Sequence, residues 1–243
     1  MKKQMTYLVV LALAASVSAA PRMTLPEVEF NFGYVPQNSS VSHIFWLKSS
    51  GDDSLKILQV VPGCGCTKAP LERDHLAPGD STRVEIIFST GSYSGAVSKS
   101  PRLQTNEGAP DKALRILTNV VTRPDSTYPV VLKPYKLDMT QFGEKSRSEI
   151  RFTIENRSSS PLSPQMISTF GEYFEVLLPK SIPAEGNAEA ILKLKPAVLD
   201  RPFDKSFTIQ FDDEQKSRFT IPVKRQIRTQ AQMTGAATTS TGK

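Results

Sequence analysis

Cys64 and Cys66 are the only cysteines among 243 residues, and they stand in one turn, Val61-Pro62-Gly63-Cys64-Gly65-Cys66-Thr67. Three kinds of chemistry fit that spacing. The first is a disulfide across Gly65. Residues two apart can span at most about 7 Å, and a bridge needs about 4.4 to 6.8 Å between Cα atoms, so the ring closes if Gly63 and Gly65 let the backbone bend. So small a ring is expected to be strained and labile. The second is a soft-metal site, with copper as the candidate. Both thiolates would bind Cu(I), and His75, nine residues beyond Cys66, or His43 would add a third ligand. The third is two small buried side chains packing a turn. The spacing leaves all three open.

The remaining residue types narrow the chemistry. His43 is in phase with Val41, Phe45 and Leu47, which predicts a core-facing imidazole satisfied by a backbone carbonyl. His75 falls in a loop. The spacing of two histidines and one cysteine pair is not that of a structural zinc site. No nucleophile-elbow glycine pattern, phosphate-cradling loop or paired metal-binding histidines occur, so the chain reads as a non-enzyme with no required cofactor. Asp52 and Asp53, and Asp212, Asp213 and Glu214, fall in predicted turns as solvated loop tips.

The elements that must hold the cysteine turn are short strands. Before them, residues 1–19 read as a cleavable signal peptide: Lys2 and Lys3, an apolar run from Tyr7 to Ala15, then Val17, Ser18 and Ala19. No cysteine follows to carry a lipid anchor. Losing Lys2 and Lys3 lowers the formal charge from +6 to +4, too little to argue for nucleic acid or an anionic membrane as partner. The expected location is therefore the periplasm or cell surface of a bacterium, without a membrane span in the mature form. There an even pair of cysteines is oxidised or metal-bound rather than idle.

Glu27–Val35, Val41–Leu47 and Leu55–Val61 alternate apolar and polar residues with the period of half-buried strands. Pro36-Gln37-Asn38 and Gly51-Asp52-Asp53 supply the turns between them. Leu71–Leu76 reads as irregular. Val84, Ile86 and Phe88 alternate again, and Val97–Thr105 and Leu114–Val121 are expected as two strands joined through Asn106–Asp111. This rhythm over about a hundred residues is that of an immunoglobulin-type β-sandwich. A shift of 107 residues repeats it: Val28, Phe30 and Phe32 fall on Tyr135, Leu137 and Met139, and His43, Phe45 and Leu47 on Ile150, Phe152 and Ile154. After small slips, Val84, Ile86 and Phe88 match Ala190, Leu192 and Leu194, and Leu114 and Ile116 match Phe219 and Ile221. The reading is all-β: two tandem immunoglobulin-like sandwiches, residues 22–122 and 130–228, a linker at 123–129, and a disordered tail at 229–243. The second repeat has Phe170–Tyr173 where the first has its cysteines, so the sandwich can be built without the pair.

Phe30, Phe32 and Gly33, then Val41, His43 and Phe45, then Cys64-Gly65-Cys66-Thr67, Pro78-Gly79-Asp80, Phe88, Thr90 and Gly91, and finally Thr105-Asn106 resemble the exported bacterial family catalogued as domain of unknown function 1573. That family is similar to the Hydin and major-sperm-protein group of immunoglobulin-type domains. The resemblance covers about residues 27–121, and the second repeat resembles only the wider fold group. It implies fold and export and leaves function open. The expectation is an exported binding or scaffolding module for a protein or other cell-envelope partner, with Ile44 and Trp46, opposite the first core, as contact residues. The rival expectation is a thiol-redox or copper-handling protein using Cys64 and Cys66.

Overall fold

The computed structural model describes residues 19–143 and 147–228. The expected signal segment up to Ser18 and the tail from Thr229 lie outside the described residues. The chain is all-β, with several sheets and no α-helix among the described residues. No described helix is long and apolar enough to cross a membrane.

Two clusters of buried side chains form. One gathers residues between Met23 and Val120, including Phe30, Phe32, Phe45, Val84, Ile86 and Phe88. The other gathers residues between Val130 and Val223, including Phe152, Phe174, Phe207, Phe211 and Phe219. In each half the alternation of an amphipathic strand directs every second side chain inward. Ser40–Ser49 and Ser81–Ser89 pair antiparallel with His43 opposite Ile86 and Phe45 opposite Val84. Glu149–Asn156 and Asn187–Leu194 pair with Ile150 opposite Leu192 and Phe152 opposite Ala190. These are the equivalences that the sequence repeat gives. Met23–Thr24, missed in the sequence, pairs Met23 with Ser49, and Val130–Lys133 pairs Val130 with Asn156.

Three sequence expectations need correction. The sequence repeat matches Leu114 and Ile116 to Phe219 and Ile221, but the parallel pairs Phe30–Ile116 and Leu137–Val223 place Ile116 on Val223. A slip of two residues keeps every side chain on its face, so periodicity cannot detect it. Val97–Thr105 is not one strand. It breaks at Ser100-Pro101 into Gly95–Lys99 and Arg102–Thr105, which join different sheets. Arg102–Thr105 pairs with Leu55–Val61 and with the short Lys112–Ala113. Leu71–Leu76 is not wholly irregular, since His75–Leu76 pairs with Leu55–Val61.

One sheet runs through both halves. Its order is Pro164–Ser168, Phe203–Phe211, Arg218–Arg225, Glu29–Pro36, Arg115–Val121 and Gly95–Lys99, and Leu137–Asp138 also pairs with Arg218–Arg225. The halves join where Tyr34 stands parallel to Phe219. Gly33 makes this approach feasible: its φ is +64°, and a Cβ there would lie 2.1 Å from the Arg218 carbonyl oxygen. Side chains complete the seam. The Thr220 hydroxyl donates to the Phe32 carbonyl at 2.6 Å, and the buried Tyr135 hydroxyl donates to the Tyr34 carbonyl. Burial holds the Tyr135 phenol well above its usual pKa, so it stays a neutral donor.

Candidate functional site

The cysteine turn follows the Leu55–Val61 strand and ends on Thr67–Lys68, which pairs with Ser81–Ser89. Gly63 takes a positive φ of 85°, and Gly65 has open space around it. The turn is clipped by Thr67 N–H donating to the Cys64 carbonyl at 3.2 Å and by Ser89 N–H donating to the Cys66 carbonyl at 2.8 Å. Within it Cys64 and Cys66 are joined as a disulfide, with their Cα atoms 5.3 Å apart. Both cysteines are half-buried residues, and Cys66 packs against the first core.

Hydroxyls surround the bridge. Thr67 Oγ1 lies 3.4 Å from Cys64 Sγ and 3.8 Å from Cys66 Sγ. The Tyr93 hydroxyl donates to Cys66 Sγ at 3.6 Å. Lys99 Nζ in turn donates to the Tyr93 oxygen at 3.0 Å and lies 4.5 Å over its ring. The Tyr93 ring leans on Phe88, centroids 5.7 Å apart. Sequence reading missed Tyr93 and Lys99, which are far from the cysteines along the chain. The one available signal was an aromatic residue set between Gly91 and Gly95 in an otherwise small, polar loop.

The histidines sit elsewhere in function. His75, an expected metal ligand, is exposed and bonds to Asp74 at 2.9 Å. That bond holds the Asp74 carboxyl below its usual pKa. Among the described residues no group of three or more His, Cys, Asp and Glu side chains is placed to hold a metal ion. His43 is buried as expected, but its partners are not backbone carbonyls. Its Nδ1 meets Ser168 Oγ at 2.9 Å across the seam, its Nε2 meets Glu27 Oε2 at 2.8 Å, and its ring stacks on Phe30 at 3.6 Å. A carboxylate only accepts and a hydroxyl can donate, so the tautomer with its proton on Nε2 is the neutral form whose two ring nitrogens these partners satisfy.

Ile44 and Trp46, the expected contact residues, part company. Ile44 packs against the second core, whereas Trp46 remains 53% exposed. On the face of Ser40–Ser49 away from the first core, the part at Ser42 and Ile44 is thus a seam, and the part at Trp46 and Lys48 is open. Beside Ile44, the buried Ser42 accepts and donates through its backbone: its N–H donates to Ser206 Oγ at 2.9 Å, and its carbonyl receives the Ser206 hydroxyl at 3.2 Å. Lys205 Nζ reaches both Glu85 oxygens, at 2.7 and 2.6 Å, in a pair largely withdrawn from solvent. The Lys205 ammonium also lies over the Phe170 and Tyr173 rings. Phe170–Tyr173, the counterpart of the cysteine turn, therefore serves the seam.

On the shared sheet lies a cleft of about 920 Å³, crossing from Gly95–Lys99 over Arg115–Val121 and Glu29–Pro36 to the turn at residues 212–217 of the second half. Its walls carry amides, hydroxyls and charges: Asn31, Asn119, Gln210, Ser98, Ser217, Glu29, Arg115, Lys216 and Arg218. Arg115 bonds to Ser98 Oγ and pairs with Glu29, both at 3.3 Å. Arg218 bonds to Gln210 Oε1 at 2.8 Å and to the Asn31 carbonyl at 3.2 Å. The cations in the cleft outnumber the single carboxylate. Gly95–Lys99, at the end of the sheet, offers an edge with no neighbouring strand among the described residues.

No curated protein matches the sequence. Among solved structures, a protein of unknown function from Porphyromonas gingivalis W83 is 12% identical, covering 84% of this chain and 99% of its own, at a TM-score of 0.35. WR4, a C. elegans MSP family member, is 17% identical over 42% of this chain and all of its own, at 0.31. The E. coli chaperone DraB is 10% identical over 86% of this chain and all of its own, at 0.32. Likenesses this distant carry no argument about partner or activity. The sequence itself is more specific: residues 23–120, which contain the first core and the cysteine turn, match the model of the family described as "Protein of unknown function (DUF1573)", the family that the residues of this region resemble.

Proposed function

We propose that the chain is an exported cell-envelope binding or scaffolding module without catalytic activity, built of two tandem immunoglobulin-like sandwiches held in one arrangement. The observation that carries this reading is the sheet spanning both halves, with its polar cleft and its free edge at Gly95–Lys99. An extended segment of a protein partner can add to such an edge through main-chain hydrogen bonds. Its side chains would then lie over the cleft, where Arg115 and Lys216 favour acidic residues.

Site-specific photo-crosslinking in the producing cell tests this. A crosslinking residue at Ser98 is expected to give discrete protein adducts in the envelope fraction, weakened by Arg115→Glu with Lys216→Glu. The same residue at Glu189, on another sheet, is expected to give none of them. Identical adducts from both positions, no adduct from Ser98, or a chain retained in the cytoplasm would each contradict the reading.

A second reading is favoured by the surroundings of the bridge. A half-buried cysteine pair with the Thr67 and Tyr93 hydroxyls beside its sulfurs, and the Lys99 ammonium behind Tyr93, suits thiol–disulfide exchange. Copper handling, the other half of that expectation, would require the reduced pair and is read out as copper retained after dialysis by the chain reduced with dithiothreitol and incubated with Cu(I).

A further inference from the structure

The two sulfurs of the bridge do not share one environment. Cys64 Sγ has the Thr67 hydroxyl at 3.4 Å, and that hydroxyl carries a single proton while lying 3.8 Å from Cys66 Sγ as well. Cys66 Sγ has in addition the Tyr93 hydroxyl. The Tyr93 oxygen already accepts from Lys99 Nζ at 3.0 Å, so its own proton is left to point at the sulfur. Lys99, Tyr93 and Cys66 thus form a directed chain from an ammonium to one sulfur only. The backbone N–H of Ser89 holds the Cys66 carbonyl and Cys66 packs against the first core, the Phe88 ring backs Tyr93, and a Cβ at Gly65 would meet nothing within 4 Å.

We propose that the bridge is polarised, with Cys64 the sulfur that an incoming thiolate attacks and Cys66 the sulfur that leaves. This rests on the thiol–disulfide reading above and assigns Tyr93 and Lys99 as positioning residues for it. The co-reactant is a dithiol of a protein partner. Its first thiolate forms a bond to Cys64 Sγ while the Cys64–Cys66 bond breaks, and the electron pair stays on Cys66 Sγ, which takes the hydrogen bond from Tyr93. A hydrogen bond of this kind stabilises charge as it develops on the leaving sulfur, and a better-stabilised thiolate leaves faster. The second thiol of the partner then attacks the mixed disulfide and releases Cys64. The partner ends as a disulfide, and this chain holds two thiols, having gained two electrons and two protons.

Sulfite is a suitable probe, because it attacks one sulfur of a disulfide to give an S-sulfonate and expels the other as a thiolate. The oxidised full chain is treated with sulfite under native conditions in the presence of iodoacetamide, and fragment-ion mass spectrometry locates each label. The expected product carries sulfonate on Cys64 and carbamidomethyl on Cys66, in roughly tenfold excess over the reverse. Tyr93→Phe is expected to bring that ratio close to one and to slow the reaction several-fold, and Lys99→Gln to do so in part. Parent and variants are compared at equal far-ultraviolet circular dichroism, so that a general loosening of the turn, which would speed the reaction, reads as the opposite sign. An even distribution, a reverse one, or a ratio indifferent to Tyr93→Phe overturns the polarity while leaving exchange itself standing. No reaction of the folded chain with either sulfite or dithiothreitol overturns both.

Discussion

Gly33→Val is expected to lower the stability of the chain by at least about 3 kcal/mol and to uncouple its two halves. Two independent effects add at this position. A branched side chain at a φ of +64° is held in a left-handed backbone region that costs about 1 to 3 kcal/mol. The new Cβ would also sit 2.1 Å from the Arg218 carbonyl oxygen, and the obstacle is backbone that cannot swing aside. The chain can relieve this only by opening the contact between Tyr34 and Phe219, which is where the common sheet passes from one half to the other. Urea unfolding checks the outcome with two probes. Trp46, the one tryptophan, reports on the first half, and far-ultraviolet circular dichroism reports on all strands. The parent should show coincident transitions, as a cooperative unit does. The variant should show an earlier and separated pair, and a variant with the parent's midpoint would mean that the seam does not depend on this close approach.

Lys205→Met is expected to cost about 3 kcal/mol, and adding Glu85→Leu is expected to restore most of it. The reason lies in what each change leaves behind. In the parent both Glu85 oxygens accept from Lys205, inside a seam where the two side chains keep 12% and 17% of their exposure. Removing the lysine leaves a carboxylate with little water and no partner, a situation that costs about 3 to 5 kcal/mol when fully buried. Removing both charges returns an apolar contact beside Ile44, Phe170 and Tyr173, which line the same small space. The double-mutant cycle separates this from a general loss of packing. If the double variant were as weak as the two single losses added together, the pair would not be acting as a unit.

Much of the scaffold was legible in the sequence, because a strand with one buried face writes its period directly into the chain. The shift of 107 residues found in Phe45 and Phe152 reappears in the pairing of Phe45 with Val84 and of Phe152 with Ala190. Where periodicity carries no information, the reading failed. A two-residue slip hid the match of Ile116 to Val223, and the break at Ser100-Pro101 hid a change of sheet. The seam was the least legible part. Ser42, Ser206 and Thr220 are buried at 2% exposure or less, yet small hydroxyl residues in a strand read as solvent-facing. Arg225 is hidden for a similar reason. Its guanidinium is fully buried and bonds to the Met139, Arg147 and Leu199 carbonyls and to Gln141 Oε1, partners that only the folded chain brings together. Desolvation holds its pKa below the usual arginine value. At the cysteine turn the pair itself was legible from spacing, whereas the Tyr93 and Lys99 chain behind Cys66 depends on the Ser81–Ser89 strand and the loop after it folding over the turn.

These observations converge on one claim, that the two halves form a single pre-assembled surface rather than two beads on a linker. Spin labels on Lys56→Cys and Lys193→Cys, one in each half, test it most directly, with the Cys64–Cys66 bridge left oxidised and the distance read by double electron–electron resonance. The account predicts one narrow distance distribution in the parent, broadened by Gly33→Val. A broad or two-peaked distribution in the parent would contradict it, because a cleft shared by two halves cannot persist if they move independently.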